Sequence, residues 1–85
     1  YHPQIKHALV IGFGSGSTTE ALERMPQVQK ITLVELNRTN LENLQKLEAT
    51  SRILQDNRLE IVVDDSRRFL LANKPKYDLI TMDPL

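Results

Sequence analysis

Four short apolar runs, rich in β-branched residues, recur along the chain and limit the folds open to it. Their apolar residues come in blocks instead of alternating with polar ones, which is typical of parallel strands covered by helices on both faces. Segments with helical character separate the runs. We therefore predict four parallel strands, at residues 7–12, 30–36, 59–65 and 77–83.

The three segments between the predicted strands have helical patterns. The first follows a glycine-rich stretch, has Ser17 and Glu20 at the spacing of a capping box, and is ended by Pro26. The second and longest has an apolar stripe, with charged residues on its other side. The third is short and ends before Pro75. The predicted helices span residues 17–25, 39–54 and 66–72.

The resulting β-α-β-α-β-α-β order predicts an α/β fold. Right-handed crossovers and one reversal of strand order give a parallel sheet ordered 3-2-1-4, the first half of a doubly wound nucleotide-binding fold. We assign residues 1–85 to a single domain, and a domain of this size buries only about 60% of its unfolded surface. Because such folds usually continue after the fourth strand, we expect a domain truncated there and belonging to a longer protein.

Composition excludes several classes of function. The 11 basic and 11 acidic side chains are interspersed, so we predict no nucleic-acid partner and favour a small-molecule ligand. The lack of cysteine excludes disulfides, thiolate metal sites and cysteine nucleophiles. We predict no metal site, because His2 and His7 have no partner at metal-ligand spacing. No apolar run approaches the roughly 20 residues that cross a bilayer, so we predict no membrane contact within this chain.

The glycine-rich stretch GFGSGS, residues 12–17, joins the first predicted strand to the first predicted helix. Gly12, Gly14 and Gly16 allow a tight turn and a close approach of the backbone to a ligand, whose polar groups would meet N–H groups at the helix start. A dinucleotide fingerprint has glycine in the sixth place, where this chain has Ser17, and this weakens a nicotinamide interpretation. A tight turn that binds nothing is the alternative.

Acidic residues end the second and third predicted strands. Glu35 follows Gly16 by nineteen residues, where an acid that accepts hydrogen bonds from ribose hydroxyls is expected. Asp64 and Asp65 close the third strand, and Asp65 is the better candidate to accept from an adenine amino group. The alternative is that Asp65 only caps the following helix.

The fourth predicted strand has an aspartate near each end. Asp83 precedes Pro84, which bends the chain off the sheet, so we expect the Asp83 carboxylate to face the same cleft as Glu35. A solvated strand end is the alternative. Asp78 begins that strand at the opposite edge of the sheet, and we interpret it as structural.

The loop and the strand ends together resemble the nucleotide-binding domain of the spermidine synthase family. The similar segments, HPQIKHALVIGFGSGSTTEALERMPQVQKITLVELN, DNRLEIVVDDSRRFL and YDLITMDP, cover nearly all of the chain. Val10 favours the aminopropyltransferase branch, because generic methyltransferases of this fold usually have an acid at that place. The resemblance implies a Rossmann-like fold of the S-adenosylmethionine-dependent methyltransferase type.

The resemblance also implies a site and a reaction. Decarboxylated S-adenosylmethionine, or its product methylthioadenosine, would lie against the loop, with Glu35 on the ribose and Asp65 on the adenine. Asp83 matches the family's catalytic aspartate. The amines of a polyamine have pKa values like that of lysine, about 10.4, and are protonated at neutral pH. A base must therefore remove a proton before nitrogen attacks the carbon beside the sulfonium. This transfers an aminopropyl group to the polyamine. The implied cofactor-binding residues are Gly12, Gly14, Ser15, Gly16, Glu35, Leu36, Asp65 and Ser66.

The chain departs from the family pattern in two places. The family loop usually reads GGGDGG, so Ser15 stands where an aspartate helps to hold the aminopropyl amine. Because serine does not repel a carboxylate, intact S-adenosylmethionine is a second candidate co-substrate. The chain also ends DPL where typical synthases have a longer segment like DSSDP, which favours a divergent, spermidine synthase-like branch.

Other interpretations remain open. A methyltransferase on the same scaffold is favoured by Ser15, a non-catalytic nucleoside-binding module would leave Asp83 structural, and a nicotinamide dehydrogenase stands last. The family usually dimerises, so we expect a homodimer. We expect a cytoplasmic protein, or the soluble domain of a larger, membrane-attached one.

Overall fold

The computed structural model describes residues 5–14, 16–73 and 76–82. Within these ranges strands and helices alternate, except where two helices follow one another between the second and third strands. No helix in these ranges is long and apolar enough to cross a membrane. The elements are β1 (His7–Ile11), α1 (Ser17–Glu23), β2 (Lys30–Glu35), α2 (Arg38–Gln45), α3 (Glu48–Leu54), β3 (Leu59–Val63), α4 (Ser66–Asn73) and β4 (Leu79–Met82).

The four strands form one parallel sheet in the order β3-β2-β1-β4, which confirms the predicted α/β fold and strand order. Ile11, the last residue of β1, pairs with Val34 on one side and with Met82 on the other, and Val34 pairs with Val62. The strands therefore end nearly level. We call the side formed by these last strand residues and the loops after them the carboxyl edge, and the opposite side the amino edge.

Apolar clusters cover both faces of the sheet. On the face that carries α1, α2 and α3, Val10, Ile31 and Leu33 are fully buried. On the face that carries α4, Leu9 and Val34 are buried in a second cluster. Neighbouring residues of a strand point to opposite faces, so β1 and β2 need apolar side chains at consecutive positions. This burial explains the blocks of apolar residues in the sequence.

The predicted single helix over residues 39–54 is wrong, because the chain leaves helical geometry at Leu47 and divides into α2 and α3. Leu47 is extended, with φ −88° and ψ 128°. The Thr50 hydroxyl donates a hydrogen bond to the Leu44 carbonyl and lies 3.3 Å from the Leu47 carbonyl. Carbonyls at the end of a helix have no N–H partner within the helix, so such side-chain donors can satisfy them. Leu47 is 57% exposed as a result, whereas Ile53 of α3 returns to the core.

An arginine holds the loops together at the amino edge. The Arg58 guanidinium donates to the carbonyls of Met25 (3.1 Å) and Val28 (2.9 Å) and also to that of Glu23. Its partner Asp56, at 3.0 Å, keeps it in place, and the hydrogen bonds from Arg58 lower the pKa of Asp56. Arg58 therefore fastens the α1–β2 connection to the start of β3.

Asp78 has a similar role beside β4. Its carboxylate accepts hydrogen bonds from the backbone N–H groups of Lys6 and His7, both at 2.9 Å. The His7 ring packs edge-on against Tyr77, with ring centroids 4.4 Å apart, and its Nε2 lies 3.2 Å from the Thr32 hydroxyl. Burial lowers the pKa of His7. These contacts agree with the structural interpretation of Asp78.

Glu23, the last residue of α1, lies beside the Arg58 cluster. Its Oε2 atom is buried and has no hydrogen-bond partner among the described residues. Burial, reinforced by the negative charge of Asp56, raises the pKa of Glu23 to about 7, although the Arg58 guanidinium acts in the opposite direction. The carboxyl group is therefore better accommodated in its neutral form.

We expect Glu23→Gln to stabilise the full-length protein at pH 8 and to have a smaller effect at pH 5. Since the folded-state pKa of Glu23 is raised, its stabilising contribution is full below pH 4.5 and is lost as the pH rises through about 7. Glutamine stays neutral at both pH values. After allowance for solvent screening of a half-buried group, urea unfolding should show a gain at pH 8 of about 1 kcal/mol.

Glu42→Gln is the control for that measurement, because it removes an exposed carboxylate from another helix, α2, and Glu42 is not among the charges that raise the pKa of Glu23. A gain from Glu23→Gln that is equal at both pH values, or no gain at all, would contradict the assignment of a buried, poorly solvated carboxylate.

Candidate functional site

The glycine-rich loop turns sharply between β1 and α1. Gly12, Gly14 and Gly16 all have positive φ, of 84°, 57° and 88°. No other residue in the described part of the chain has a positive φ. The N–H of Gly16 donates to the carbonyl of Phe13 at 2.9 Å, which closes the turn. The three glycines are therefore required by the backbone path of this loop.

Gly16 has a second constraint, because it lies against a buried aromatic ring. A Cβ atom added at Gly16 would lie 2.6 Å and 2.9 Å from two ring atoms of Phe13 and 3.1 Å from Cδ1 of Ile53. Gly16 is also the N-cap of α1, and no side chain caps this helix. The predicted capping box of Ser17 and Glu20 is therefore wrong: Ser17 is already the first residue of the helix, because the turn closes at Gly16.

Glu35 lies beside this loop at the end of β2. Its Oε1 atom accepts a hydrogen bond from the Phe13 N–H at 2.9 Å, and the N–H of Gly12 donates to the Val34 carbonyl at 2.9 Å. These bonds continue the pairing of β1 and β2 beyond the last paired residues. The structure thus brings together two of the predicted features, the glycine loop and the acid that ends β2, with the half-buried carboxylate against the loop backbone.

Asp64 and Asp65 occupy the turn between β3 and α4. This turn follows the last residue of β3, which pairs with Glu35 in the sheet. The Asp64 N–H donates to the Glu35 carbonyl at 3.1 Å, and the Asp64 side chain accepts from the Asp65 N–H at 2.7 Å. Oδ1 of the exposed Asp65 accepts from the Arg68 N–H at 3.1 Å. Asp65 therefore caps α4, whose first residue is Ser66, and a contact between Asp65 and adenine stays a prediction.

Exposed apolar side chains lie at the same edge. Leu36 follows Glu35 and is 71% exposed, Met82 ends β4 and is 69% exposed, and Val63 ends β3 and is 36% exposed. Leu36 was predicted for the site, whereas Met82 and Val63 were not singled out. The sequence did contain a signal for Met82 and Val63, because each of these two is the last apolar residue before an aspartate. Apolar surface beside a few acceptors is the usual composition of a small-molecule site.

Two predicted site residues, Ser15 and Asp83, lie outside the described residues. Met82, which precedes Asp83 in the chain, pairs with Ile11 immediately before the glycine loop. Within the described residues no group of three or more histidine, cysteine, aspartate or glutamate side chains could hold a metal ion. The carboxylates of the described part of the site can accept hydrogen bonds and attract cationic groups.

We expect Gly16→Ala to destabilise the full-length protein by about 1–3 kcal/mol. The added methyl group would overlap the buried Phe13 ring, and a non-glycine residue at a φ of 88° adds backbone strain. Thermal and urea unfolding measure the effect, with the exposed Glu20→Ala as control on the same helix. A change within about 0.5 kcal/mol, as for an ordinary surface substitution, would show that the loop is less tightly packed.

Comparison with known proteins places these features in a family. The spermine/spermidine synthase domain model matches residues 1–85. The polyamine aminopropyltransferase of Clostridium botulinum (strain Eklund 17B / Type B) is 37% identical over 83 residues, and that of Buchnera aphidicola is 32% identical over 84 residues. In both cases the match covers 96% of this chain and 29% of the relative. The chain thus spans less than a third of the length of these curated relatives.

Two solved structures that are similar to this chain belong to the same family as its sequence relatives. A spermidine synthase solved in complex with the transition state analogue AdoDATO is 32% identical, with a TM-score of 0.89 over 96% of this chain and 29% of that one. Spermidine synthase from Thermotoga maritima is also 32% identical, with a TM-score of 0.88 over 99% of this chain and 30% of that one. The similarity in fold and sequence confirms the resemblance stated above, and the chain belongs to the spermine/spermidine synthase family.

Proposed function

We propose that this chain is the nucleoside-binding part of a polyamine aminopropyltransferase. The observation that supports the proposal best is the hydrogen bond from the Phe13 N–H to Glu35 Oε1, at 2.9 Å. It sets a carboxylate directly against a glycine loop at the carboxyl ends of parallel strands, where ligands of open α/β sheets bind. Family membership makes an S-adenosyl compound the ligand of choice, and the relative solved with AdoDATO supports a co-substrate derived from S-adenosylmethionine.

In this proposal Glu35 binds the ribose. Oε1 already accepts from Phe13, so Oε2 is the better acceptor for a ribose hydroxyl. Hydrogen bonds to a charged acceptor are worth about 1.5–3 kcal/mol each. The exposed Leu36 side chain, next in the chain, offers an apolar surface to the nucleoside.

Asp65 binds the adenine in the proposal. Its Oδ1 atom accepts the cap hydrogen bond from Arg68, so Oδ2 would accept from the adenine amino group. The cap fixes the carboxylate relative to α4 before the ligand arrives. The same side chain would then serve both the stability of the helix and the recognition of the base, and Ser66 would line the site beside it.

Asp83 is the proposed proton acceptor. The polyamine nitrogen gives up a proton to the carboxylate and then attacks the carbon beside the sulfonium with its lone pair. A carbon–nitrogen bond forms, the carbon–sulfur pair returns to sulfur, and methylthioadenosine leaves as a neutral thioether. A carboxylate suits this step because it also attracts the cationic amine, and fixed geometry supplies much of the acceleration.

Ser15 supports a second candidate function. An uncharged residue at this place does not repel the carboxylate of intact S-adenosylmethionine, which is the methyl donor of methyltransferases on this fold. Binding of the two sulfonium compounds separates the candidates: preference for the decarboxylated form supports aminopropyl transfer, and preference for the intact form supports methyl transfer.

We expect Glu35→Ala to weaken binding of methylthioadenosine by the full-length protein about 30-fold or more, because a charged acceptor for the ribose is lost. Calorimetry with methylthioadenosine, both sulfonium compounds and a nicotinamide dinucleotide measures the effect and the ligand preference. Glu60→Gln is the control, since it removes an exposed carboxylate that pairs with Lys30 at 3.3 Å, near the amino edge. Unchanged affinity in Glu35→Ala, or binding of the dinucleotide alone, would overturn the proposed site.

Asp65 allows a sharper test because its cap and its proposed adenine contact can be separated. Asp65→Ser should keep the cap of α4, since serine caps helices about as well as aspartate. Asp65→Ala should cost about 1 kcal/mol of stability. Both variants should weaken nucleoside binding. If Asp65→Ser is as stable as the wild type and binds methylthioadenosine equally well, Asp65 is only a cap.

A further inference from the structure

We propose that Phe13 is a positioning residue for the nucleoside site: its buried ring fixes the glycine loop, and through the loop the Glu35 carboxylate, in the geometry that binds the ribose. This inference rests on the proposed function. It concerns a side chain that cannot touch the ligand, because Phe13 is 0% exposed although it lies between two glycines in a surface loop.

The ring is embedded in the core on the face of the sheet that carries α1, α2 and α3. Phe13 is the largest of the fully buried side chains in the described part of the chain. It belongs to the cluster that contains Leu22 of α1, Leu41 of α2 and Ile53 of α3. One side chain therefore anchors the loop in the core that these three helices share, in a segment where the flanking glycines have no side chains to pack.

Both backbone groups of Phe13, its N–H and its carbonyl, form hydrogen bonds. The Phe13 N–H donates to Glu35 Oε1 at 2.9 Å, and the Phe13 carbonyl accepts from the Gly16 N–H at 2.9 Å. The ring also limits Gly16, where a Cβ atom would meet it at 2.6 Å. One residue thus sets the turn, the start of α1 and the orientation of the carboxylate that binds the ribose.

The consequence is a site that is ordered before its ligand binds. Glycine loses more conformational entropy than any other residue when its backbone is ordered. A glycine loop without an anchor would be ordered only when the ligand binds, and this entropy cost would weaken the affinity. An anchored loop avoids that cost, and affinity is gained without a new contact. Removal of the ring should therefore weaken nucleoside binding about ten-fold even while the protein stays folded.

Phe13→Ala and Phe13→Leu test the proposal in the full-length protein. Ile31→Ala and Ile31→Val are matched controls, because Ile31 is 0% exposed in the same cluster but lies near the start of β2, close to the amino edge. Calorimetry measures the dissociation constant of methylthioadenosine under conditions in which circular dichroism shows every variant folded. Steady-state assays with decarboxylated S-adenosylmethionine and a diamine give KM for each substrate and kcat.

The expected result is that Phe13→Ala raises both the dissociation constant of methylthioadenosine and the nucleoside KM about ten-fold. The KM of the diamine should stay within about two-fold, the Ile31 variants should bind methylthioadenosine as the wild type does, and Phe13→Leu should restore most of the affinity. Where Phe13→Ala does not fold, Phe13→Val takes its place: it also removes the ring, and it should lose more affinity than Phe13→Leu and than the matched Ile31→Val.

Two outcomes would overturn the inference and are distinguishable. If the wild type binds methylthioadenosine and the variant that removes the ring, Phe13→Ala or Phe13→Val, binds it equally well, Phe13 is ordinary core and the proposed function stands. The same conclusion follows if the Ile31 variants lose as much affinity. If the wild type binds no adenosyl compound, the proposed function fails and this inference fails with it.

Discussion

Burial of the central strands on both faces is the constraint from which the rest of this structure follows. Leu9 and Val10 of β1 and Ile31 and Leu33 of β2 are all 0% exposed. A strand covered on both faces has no room along its length for charged groups, because each would need a buried partner. The acidic residues proposed to bind a ligand therefore lie at the strand ends, where the backbone leaves the sheet.

The two ends of the sheet use their polar groups differently. At the amino edge, two charged side chains are paired with nearby groups: Arg58 with Asp56 and with loop carbonyls, and Asp78 with two backbone N–H groups. At the carboxyl edge, Glu35 and Asp65 each have one oxygen bonded to the backbone. This leaves acceptor capacity on the side where the glycine loop opens. The division follows from the chain direction, since in parallel strands all carboxyl ends share one edge.

At the carboxyl edge, the residues with proposed ligand-binding roles also have structural roles. Asp65 caps α4 and is also the proposed adenine acceptor, and Glu35 bonds the loop and is also the proposed ribose acceptor. Backbone bonds of this kind hold a carboxylate in place before a ligand arrives, which lowers the cost of binding. Substitution of either residue therefore has to be interpreted with a stability measurement beside the binding measurement.

The sequence by itself determined the parallel sheet, its strand order, the loop glycines and the acids at the ends of the second and third strands, because each depends on local pattern and chain order. The family was also evident from the loop and strand-end segments. The packing at Leu47, Phe13 and Arg58 was decided only by the tertiary structure. A leucine stripe predicts one helix whether or not the neighbouring core has room for it, and Leu47 lies outside that core.

The contacts of Phe13 at the site, and of Arg58 at the amino edge, also could not be predicted from local sequence. The spacing of GFGSGS does not show that the Phe13 side chain points into the core. It also does not show that the Phe13 ring leaves room only for glycine at position 16. Arg58 finds its carbonyl partners some thirty residues away in sequence, at Met25 and Val28. Local sequence fixes which residues can turn, cap or accept a proton. Which of them meet is decided by contacts between distant segments, because these form only when the sheet and its helices pack together.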